Sequence, residues 1–279
     1  MTLTHNAMNP LTVRLVIFDW AGTTVDHGCF APVAPFVDAL AHFGVQVTLA
    51  EAREPMGVGK RDHLRAILAM PRVAELWRTV HGHPWTEADV DRVYQDQFIP
   101  RQLESVREHC QLIPGVLKSV AWLREHGIKV GTTTGYFAEA AERAWQAGAA
   151  QGYVPDHNVA PNEVPAGRPA PWMIYRNMEA LGIYPPATVL KIGDTVPDIE
   201  EGLAAGVWSV GVTHTGSDVG CTVSEFAALA PLERNARVDR ARHKLVSAGA
   251  HLVEDSVADV PKIITYINGW LADGERPQK

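Results

Sequence analysis

Apolar positions follow two different patterns along the chain, and each pattern predicts its own kind of element. Continuous apolar and β-branched runs of strand length occupy residues 13–18, 128–133, 188–193 and 207–212. After residue 113 these runs are separated by helical periodicity at residues 116–126, 137–147 and 171–181. Strands that alternate with helices of about a dozen residues pair in parallel through right-handed crossovers. We therefore predict an α/β fold with a doubly wound parallel sheet as its core.

Between residues 28 and 106 the strand-like runs disappear and helical signals dominate. Helical stretches are predicted at Pro32–Gly44, from a capping box at Thr48, at His63–Met70, at Val73–Val80, and from Thr86 to Cys110 with a kink or break at Pro100. We predict that residues 28–106 form an all-helical cap domain inserted after the first strand. The core domain then consists of residues 1–27 and 107–279, and the stretch past Gly269 is expected to be a frayed end.

Composition and charge exclude several classes of protein. The 279 residues are 46% hydrophobic, and 32 acidic against 25 basic residues give a formal net charge of -7. This balance argues against a protein that binds nucleic acid or an anionic membrane, because such binding depends on Lys and Arg. No apolar run approaches the ~18 residues that span a bilayer.

The N-terminal residues and the cysteines indicate the compartment. The first ten residues, MTLTHNAMNP, lack the basic and apolar regions of a secretory signal, so none is expected. The cysteines Cys29, Cys110 and Cys221 are odd in number and form no CxxC pair. Sparse, unpaired cysteines favour a reducing compartment. We therefore expect a cytoplasmic protein without disulfides.

Three predicted strands end in residues that suit phosphate or metal chemistry. Asp19 follows the first strand, where a carboxylate can bind a divalent cation, attack phosphorus or simply cap a helix. Thr133 ends the second strand, where its hydroxyl suits either an anion site or a helix cap. Asp194 and Asp198 are four residues apart and share a helical face, so Mg²⁺ between them would offset their repulsion. For Asp198, interaction with a helix dipole is the alternative.

Lys60 is the candidate amine of the helical segment. Two glycines shortly before it indicate a sharp turn or a close backbone approach. The neighbouring Arg53, Arg61 and Arg65, together with partial burial, are expected to lower its pKa. An ordinary solvated surface lysine is the alternative interpretation.

Four short segments carry a resemblance to a known family. They are Phe18-Asp19-Trp20-Ala21-Gly22-Thr23-Thr24-Val25-Asp26, Met56-Gly57 with Lys60 and His63, Thr133-Thr134-Gly135-Tyr136, and Pro165–Met173. Together with Gly193-Asp194-Thr195 and Asp198, they resemble the haloacid dehalogenase superfamily and, within it, the phosphonatases. The resemblance covers nearly the whole chain apart from its N-terminal tail. It implies magnesium-dependent cleavage of the carbon–phosphorus bond of phosphonoacetaldehyde into acetaldehyde and phosphate.

The resemblance also implies roles for particular residues. Lys60 occupies the Schiff-base position, and Asp19 attacks phosphorus to form an aspartyl phosphate. Mg²⁺ is held by Asp19, the backbone carbonyl of Ala21 and Asp194, with Asp198 in support. Phosphonate oxygens are contacted by the bidentate fork of Arg168 and by the hydroxyl of Thr133. The other candidate substrate-binding residues are Gly22, Met56, His63, Tyr136 and Cys29. For the last four of these, packing in the protein interior is an equally open interpretation.

Ala21 distinguishes between two chemistries of the superfamily. Hydrolases of phosphate esters usually carry a second Asp two residues after the nucleophile, as a general acid worth about 10²–10⁴ in rate. Ala21 stands at this position, which disfavours ester hydrolysis and agrees with cleavage of a carbon–phosphorus bond. A magnesium phosphatase or phosphomutase of the same fold and a phospho-acceptor signalling module are the alternatives.

The two candidate catalytic residues lie on different predicted domains. Because Lys60 is on the cap and Asp19 on the sheet, we expect the cap to close over a small phosphonate substrate and to exclude water. Hinges are expected near Asp26–Phe30 and Glu104–Leu112. The resemblance further implies a homodimer through the caps. Four aromatic residues of the cap permit such a contact: Phe30, Phe36, Trp77 and Trp85.

Overall fold

A six-stranded parallel sheet forms the centre of the computed structural model, which describes residues 11–277. The strands are β1 (Leu15–Phe18), β2 (Lys129–Thr133), β3 (His157–Val159), β4 (Val189–Gly193), β5 (Trp208–Val212) and β6 (Leu252–Glu254). Their order is β3-β2-β1-β4-β5-β6, and every neighbouring pair is parallel. The predicted doubly wound α/β core is thereby confirmed. The ten N-terminal residues, in which no secretory signal is expected, lie outside the described residues.

The sequence pattern predicts the four inner strands and misses the two at the edges. Strands β1, β4 and β5 are buried along their whole length, so they show as continuous apolar runs. The edge strands β3 and β6 have three residues each. A run this short cannot display the period that identifies a strand, which takes about 4–8 residues.

Helices make up most of the remaining described chain. In chain order they are α1 (Phe30–His42), α2 (Leu49–Arg53), α3 (Lys60–Ala69), α4 (Pro71–His81), α5 (Glu87–Val93), α6 (Ile99–His109), α7 (Val116–Glu125), α8 (Ala138–Ala150), α9 (Trp172–Leu181), α10 (Val196–Ala205), α11 (Val223–Ala228), α12 (Pro231–Ser247) and α13 (Val260–Ala272). Among residues 11–277, none of these helices has the length and apolar character to cross a membrane.

Several local expectations for the helices can be compared with the structure. The capping box at Thr48 is confirmed, because the side chains of Thr48 and Glu51 each accept a backbone N–H of the other. The predicted break near Pro100 is also confirmed, since a π-helical turn at Tyr94–Phe98 separates α5 from α6. The expected frayed end past Gly269 is wrong, because α13 continues beyond it and Leu271 is buried.

The inserted helices enclose a hydrophobic core of their own. Its buried side chains come from residues 33–98, whereas the strands contribute to separate clusters around the sheet. Phe36 and Trp77 are fully buried inside this helical core, so they offer no surface to a second copy, contrary to expectation. Helix α6 runs past residue 106 and contains Glu104, so the second expected hinge begins within a helix. The boundaries of the cap at 28 and 106 stay a prediction.

The topology brings three strand ends together at one edge of the sheet. Strand β1 lies between β2 and β4, and Phe18 is in register with Thr132 and Ile192. The residues just beyond this level are Asp19, Thr133 and Gly193, and Asp194 follows directly. In open α/β sheets, ligands bind at this carboxyl edge where the strand order reverses. The chain leaves the sheet at this same edge after Asp19 and enters the first inserted helix, α1, at Phe30.

Candidate active site

A small cavity lies at the carboxyl edge of the sheet, where the inserted helices meet it. Its lining includes Asp19, Ala21, Arg168, Met56, Gly57 and Lys60. The segment 134–136 after β2 forms another part of the wall. The space between the lining residues is about 270 Å³ including its opening to solvent, and the part that a water-sized body can enter is only about 20 Å³. Lys60 and Asp19 therefore face the same small, largely closed space.

Lys60, the first residue of α3, is a buried amine. Burial lowers its pKa to about 8, and the nearby carboxylate of Asp19 opposes this shift. Its Nζ lies 5.4 Å from the centre of the Tyr136 ring. Within residues 11–277, no carboxylate forms an ion pair with this Nζ. Because its pKa is near neutrality, Lys60 has an unprotonated fraction that can attack a carbonyl carbon.

The arginines near Lys60 in sequence are not the main cause of its lowered pKa. Arg61 and Arg65 lie toward the surface, where both pair with Glu87. Arg53 donates to backbone carbonyl oxygens instead. Burial is the dominant cause, so the expected role of the three neighbouring arginines is wrong. Residues that are close in sequence on a helix can point in different directions, so the neighbouring arginines need not lie near the amine of Lys60.

Two glycines allow the loop before Lys60 to approach the sheet closely. Gly57 has a φ of +104°, and a Cβ on it would lie 2.3 Å from Oγ1 of Thr195. A Cβ on Gly135 would lie 2.8 Å from the carbonyl oxygen of Val58. No side chain fits between these backbones. The amine of Lys60 therefore reaches the cavity along a backbone that lies directly against the sheet loops.

Asp19 is a buried carboxylate that lies opposite Lys60 on the sheet side. Its backbone N–H donates to the carbonyl of Ile192 at 2.9 Å, which fixes it between β1 and β4. Its Oδ1 lies 2.7 Å from Nη2 of Arg168. Burial raises the pKa of Asp19, and Arg168 opposes this shift. Ala21, two residues further on, lines the cavity without offering an acid.

Arg168 is surrounded by acids rather than turned toward an open cavity. Its Nε lies 3.1 Å from Glu201, its Nη1 2.9 Å from Asp198 and its Nη2 2.7 Å from Asp19. Nη2 also donates to Oγ1 of Thr133 at 2.7 Å. A guanidinium has five N–H donors, so these contacts leave one free. Among residues 11–277, the bidentate fork expected to hold the phosphonate is therefore already occupied, and the one N–H without a partner is on Nη1.

The hydroxyl of Thr133 is turned into the same cluster, away from the cavity. It accepts from Nζ of Lys191 at 2.8 Å as well as from Arg168, and it donates to Oε2 of Glu201 at 3.0 Å. With both roles filled, it has no proton for a substrate, so the role expected for Thr133 is not supported. Thr134 lines the cavity instead.

Lys191 and Glu201 are two charged residues that the sequence analysis missed. Both are 0% exposed. The signal was present in β4, where Lys191 interrupts a run of buried apolar residues. A lysine is almost never buried without an acidic partner, so its position indicates a buried carboxylate nearby.

Three carboxylates at this edge could hold a metal ion. Oxygens of Asp19, Asp194 and Asp198 lie within 4.8 Å of one another. Burial and the charges of Asp19 and Asp198 raise the pKa of Asp194 to about 8, although the N–H of Ser217 donates to it at 2.8 Å. Among residues 11–277, no side-chain cation pairs with Asp194.

Asp198 differs from the other two carboxylates. Burial opposes its ionisation, yet Arg168 and Lys191 lower its pKa. Its Oδ1 lies 2.8 Å from Nζ of Lys191, and its Oδ2 accepts from Thr195. Both of its oxygens are thus engaged with the protein. Asp19 and Asp194 are the carboxylates whose charge a metal would offset, and the supporting role of Asp198 stays a prediction.

Gly22 and Cys29 lie beside Asp194 rather than in the cavity wall. Sγ of Cys29 lies 3.5 Å from Oδ2 of Asp194. Gly22 has a φ of +84°, and a Cβ on it would lie 2.3 Å from this sulfur. Burial raises the pKa of the Cys29 thiol well above its usual range. Both residues pack the loop that holds Asp194, so the structure does not support direct substrate contact.

His63 is separated from the cavity, whereas Met56 and Tyr136 line it. The Nε2 of His63 lies 2.8 Å from the carbonyl of Ala52, and its ring stacks on Phe36 at 4.0 Å between centres. Burial lowers the pKa of His63 well below its usual range. A neutral ring held in the helical core is a packing residue, so the expected contact between His63 and substrate is not supported.

Comparison with known proteins agrees with this fold. A family model described as haloacid dehalogenase-like hydrolase matches residues 13–206. The chain is thus a hydrolase of the haloacid dehalogenase class. It is 48% identical over 265 residues to a phosphonoacetaldehyde hydrolase from Nitratidesulfovibrio vulgaris, with 95% of this chain and 94% of that protein covered. It is 44% identical to one from Hahella chejuensis, with 95% and 90% covered.

A solved structure extends the likeness to three dimensions. It is that of a phosphonoacetaldehyde hydrolase-like protein from Oleispira antarctica, with 41% identity, a TM-score of 0.94, and coverage of 99% of this chain and 100% of that one. The chain belongs to the phosphonoacetaldehyde hydrolase family, within the haloacid dehalogenase superfamily.

Proposed function

We propose that this protein hydrolyses phosphonoacetaldehyde to acetaldehyde and phosphate. One observation carries the proposal: a buried amine, Lys60, and a buried carboxylate, Asp19, line the same small cavity from opposite sides. The substrate has an aldehyde at one end and a phosphonate at the other, so each group meets the end with which it reacts. The names of the relatives support the same substrate.

Lys60 activates the carbon side of the bond. Its unprotonated Nζ attacks the aldehyde carbon, and loss of water gives a protonated imine. Heterolysis of a carbon–phosphorus bond leaves an electron pair on carbon, and the imine accepts this pair to form an enamine. A pKa of about 8 keeps a fraction of Lys60 as the free amine that can attack near neutral pH.

Asp19 accepts the phosphoryl group. A carboxylate oxygen attacks phosphorus while the carbon–phosphorus bond breaks, which gives an aspartyl phosphate and the enamine. Water hydrolyses the aspartyl phosphate to phosphate, and protonation and hydrolysis of the enamine release acetaldehyde and Lys60. The sum consumes one water for each substrate. Dividing one displacement into covalent steps lowers the barrier of each.

The surroundings of Asp19 fit this leaving group better than an alkoxide. Ala21 occupies the place of the acid that protonates an ester oxygen, and an enamine does not require that proton. Arg168 is the cation beside Asp19, and because it lines the cavity its charge attracts a phosphonate bound there. The rest of its contacts hold the guanidinium in place. A phosphate ester would have no general acid at residue 21.

The acids of the site fit Mg²⁺. Four buried carboxylates face two buried cations in this cluster: Asp19, Asp194, Asp198 and Glu201 against Arg168 and Lys191. A divalent cation restores the balance of charge, and carboxylate oxygens are the ligands that Mg²⁺ prefers. We propose that Asp19, Asp194 and the carbonyl of Ala21 hold it. When bound, Mg²⁺ screens the charge of the phosphonate from the attacking carboxylate.

The assembly and location belong to the same proposal. Residues 28–106 act as a cap, and the chain forms a homodimer through the caps, as the resemblance implies. The thiols of Cys29, Cys110 and Cys221 are free and buried, which supports a reducing compartment such as the cytoplasm. Analytical ultracentrifugation of the purified chain tests the proposed dimer. A monomer at micromolar protein concentration contradicts it.

Trapping of the imine with borohydride tests the proposed function. In the presence of phosphonoacetaldehyde and borohydride, we expect loss of activity and an adduct on Lys60 in peptide mass mapping. The exposed Lys118 serves as the internal control and stays unmodified. Full activity with an unmodified Lys60 contradicts the mechanism.

Asp19→Asn separates the two halves of the reaction. We expect phosphate release to fall by at least about 10⁴-fold, because the nucleophile is lost. Imine trapping on Lys60 should persist, since the amine remains. Phosphate release is measured colorimetrically and trapping by mass spectrometry on the same sample. Normal turnover of the variant means that another group attacks phosphorus.

A further inference from the structure

Lys191 and Glu201 are buried charges for which the proposed reaction has no use. Lys191 lies on β4 and Glu201 on α10, and Nζ of the one is 3.4 Å from Oε2 of the other. A buried ion pair is a poor source of stability, because the loss of hydration offsets the attraction. Their location beside Arg168 is therefore the feature that calls for an explanation.

Lys191 and Arg168 share the same three partner atoms. Oδ1 of Asp198 lies 2.8 Å from Lys191 and 2.9 Å from Arg168. Oε2 of Glu201 lies 3.4 Å and 3.1 Å from them, and Oγ1 of Thr133 lies 2.8 Å and 2.7 Å from them. The two cations thus bind the same three acceptor atoms, which we call the acceptor row. A change in either cation alters the attraction of this row for the other.

The planar guanidinium of Arg168 is fixed by three carboxylates along its edge. Glu201 holds Nε, Asp198 holds Nη1 and Asp19 binds Nη2. Three contacts on a rigid plane determine both its position and its rotation. Without Lys191, the row would attract Arg168 more strongly and draw it from Asp19. Without the charge of Glu201, Arg168 would pair more tightly with Asp19 and with any anion in the cavity.

We propose that Lys191 and Glu201 are positioning residues that set how strongly Arg168 binds Asp19 and the phosphoryl group. This inference rests on the proposed function, in which Arg168 lies beside the phosphonate. Too strong an Arg168–Asp19 pair holds back the nucleophile and the product phosphate. Too weak a pair leaves the transferred group without its cation. The buried pair keeps Arg168 between these limits.

Glu201→Gln changes the charge with little change of shape. All three protein contacts of Glu201 fall on Oε2, so the amide oxygen of Gln can accept from the same donors. We expect kcat to fall on the order of 10- to 100-fold, as for other supporting partners of a site. Inorganic phosphate, titrated calorimetrically in the presence of Mg²⁺, should bind several-fold tighter. Imine trapping on Lys60 should stay within about twofold of the unmodified chain, because the amine lies on the other wall.

Lys191→Met should shift phosphate affinity in the opposite direction. The acids are then less neutralised, so phosphate binds several-fold more weakly while kcat again falls. The double variant Lys191→Met/Glu201→Gln restores the balance, and phosphate affinity should return to within about threefold of the original. The matched control is Glu254→Gln, which removes a Glu–Lys ion pair of 2.8 Å at the edge strand β6. Its kinetics and phosphate affinity should not change.

The directions in which the two single variants shift phosphate affinity test the positioning role of Lys191 and Glu201. Opposite shifts in phosphate affinity that cancel in the double variant support positioning, whereas shifts in the same direction, or none, overturn it. Loss of folded protein is followed by thermal unfolding and cannot produce tighter binding of phosphate. If the unmodified chain releases no phosphate from phosphonoacetaldehyde, the proposed function fails. The calorimetric titrations still decide the role of the pair in that case.

Discussion

The cavity has two walls, one formed by the inserted helices and one by the carboxyl edge of the sheet, and a buried cation has opposite surroundings on each. On the helical wall, Lys60 is buried without a carboxylate partner among residues 11–277, and its pKa falls to about 8. On the sheet wall, Arg168 is equally buried but contacts three carboxylates. Although burial disfavours its charge, these carboxylates raise the pKa of Arg168 further. One wall therefore shifts its amine toward the neutral form, and the other preserves its ions.

The difference teaches that burial alone does not determine the protonation state of an active-site group. Burial penalises charge, and the partners decide whether the penalty is offset. An amine that must attack a carbonyl benefits from an uncompensated penalty, because the neutral form is its reactive form. A cation that must remain beside a phosphonate requires compensation. Each wall thus has the electrostatics that its half of the proposed reaction demands.

Replacement of Lys60 should produce the largest effect on the helical wall. For Lys60→Met we expect phosphate release from phosphonoacetaldehyde to fall by at least about 10³-fold, because no imine can form. The variant should also be more stable than the original at pH 7, by up to about 3 kcal/mol, since a buried ammonium no longer has to be accommodated. Activity assays and urea unfolding measure the two effects.

The stability difference should depend on pH in a defined way. The folded pKa of about 8 is below the ordinary value of 10.5, so the folded chain binds fewer protons between these values. Stability of the original chain therefore rises from pH 8 to 10.5, and its deficit relative to Lys60→Met shrinks over this window. The exposed Lys118→Met is the control for the loss of a surface lysine. A deficit that stays constant with pH contradicts an uncompensated Lys60.

The contact between the two walls should be the next most sensitive feature. Gly57→Ala places a Cβ 2.3 Å from Thr195 Oγ1 at a φ of +104°, so the loop before Lys60 must move away from the sheet. A displacement of about 1 Å can reduce a rate about 10²-fold, and we expect kcat/KM to fall roughly 10- to 100-fold. The trapping of Lys60 should slow in parallel.

Gly59→Ala is the matched control on the same loop. Its φ is -57°, and the nearest atom to an added Cβ is Oδ2 of Asp62 at 3.9 Å. The change requires no movement of the loop, so kcat/KM should stay within about twofold of the original. Equal losses in the two variants mean that the close approach at Gly57 is not what aligns the walls.

The sequence predicted the central fold because buried parallel strands are long apolar runs. Asp19 and Lys60 were predicted to converge, and the structure places both in one cavity. The prediction failed where the outcome depends on several distant elements. The direction of the Thr133 hydroxyl is set by groups from α10, β4 and the loop before α9, and no local pattern contains that information. The predicted contact between His63 and substrate failed for a similar reason. Lys60 and His63 are one helical turn apart on α3, yet Lys60 lines the cavity and His63 packs in the helical core.

The pH dependence of imine formation is the smallest effect and tests the interaction between the walls. With a pKa of about 8 for Lys60, the unprotonated fraction rises about tenfold from pH 7 to pH 9 and then levels off. Trapping rates at fixed phosphonoacetaldehyde should follow this curve. The charge of Asp19 raises the pKa of Lys60, so Asp19→Asn should move the midpoint to lower pH. A midpoint near 10.5 indicates a solvated amine, whereas an unmoved midpoint in Asp19→Asn means that the carboxylate across the cavity exerts no field on the amine.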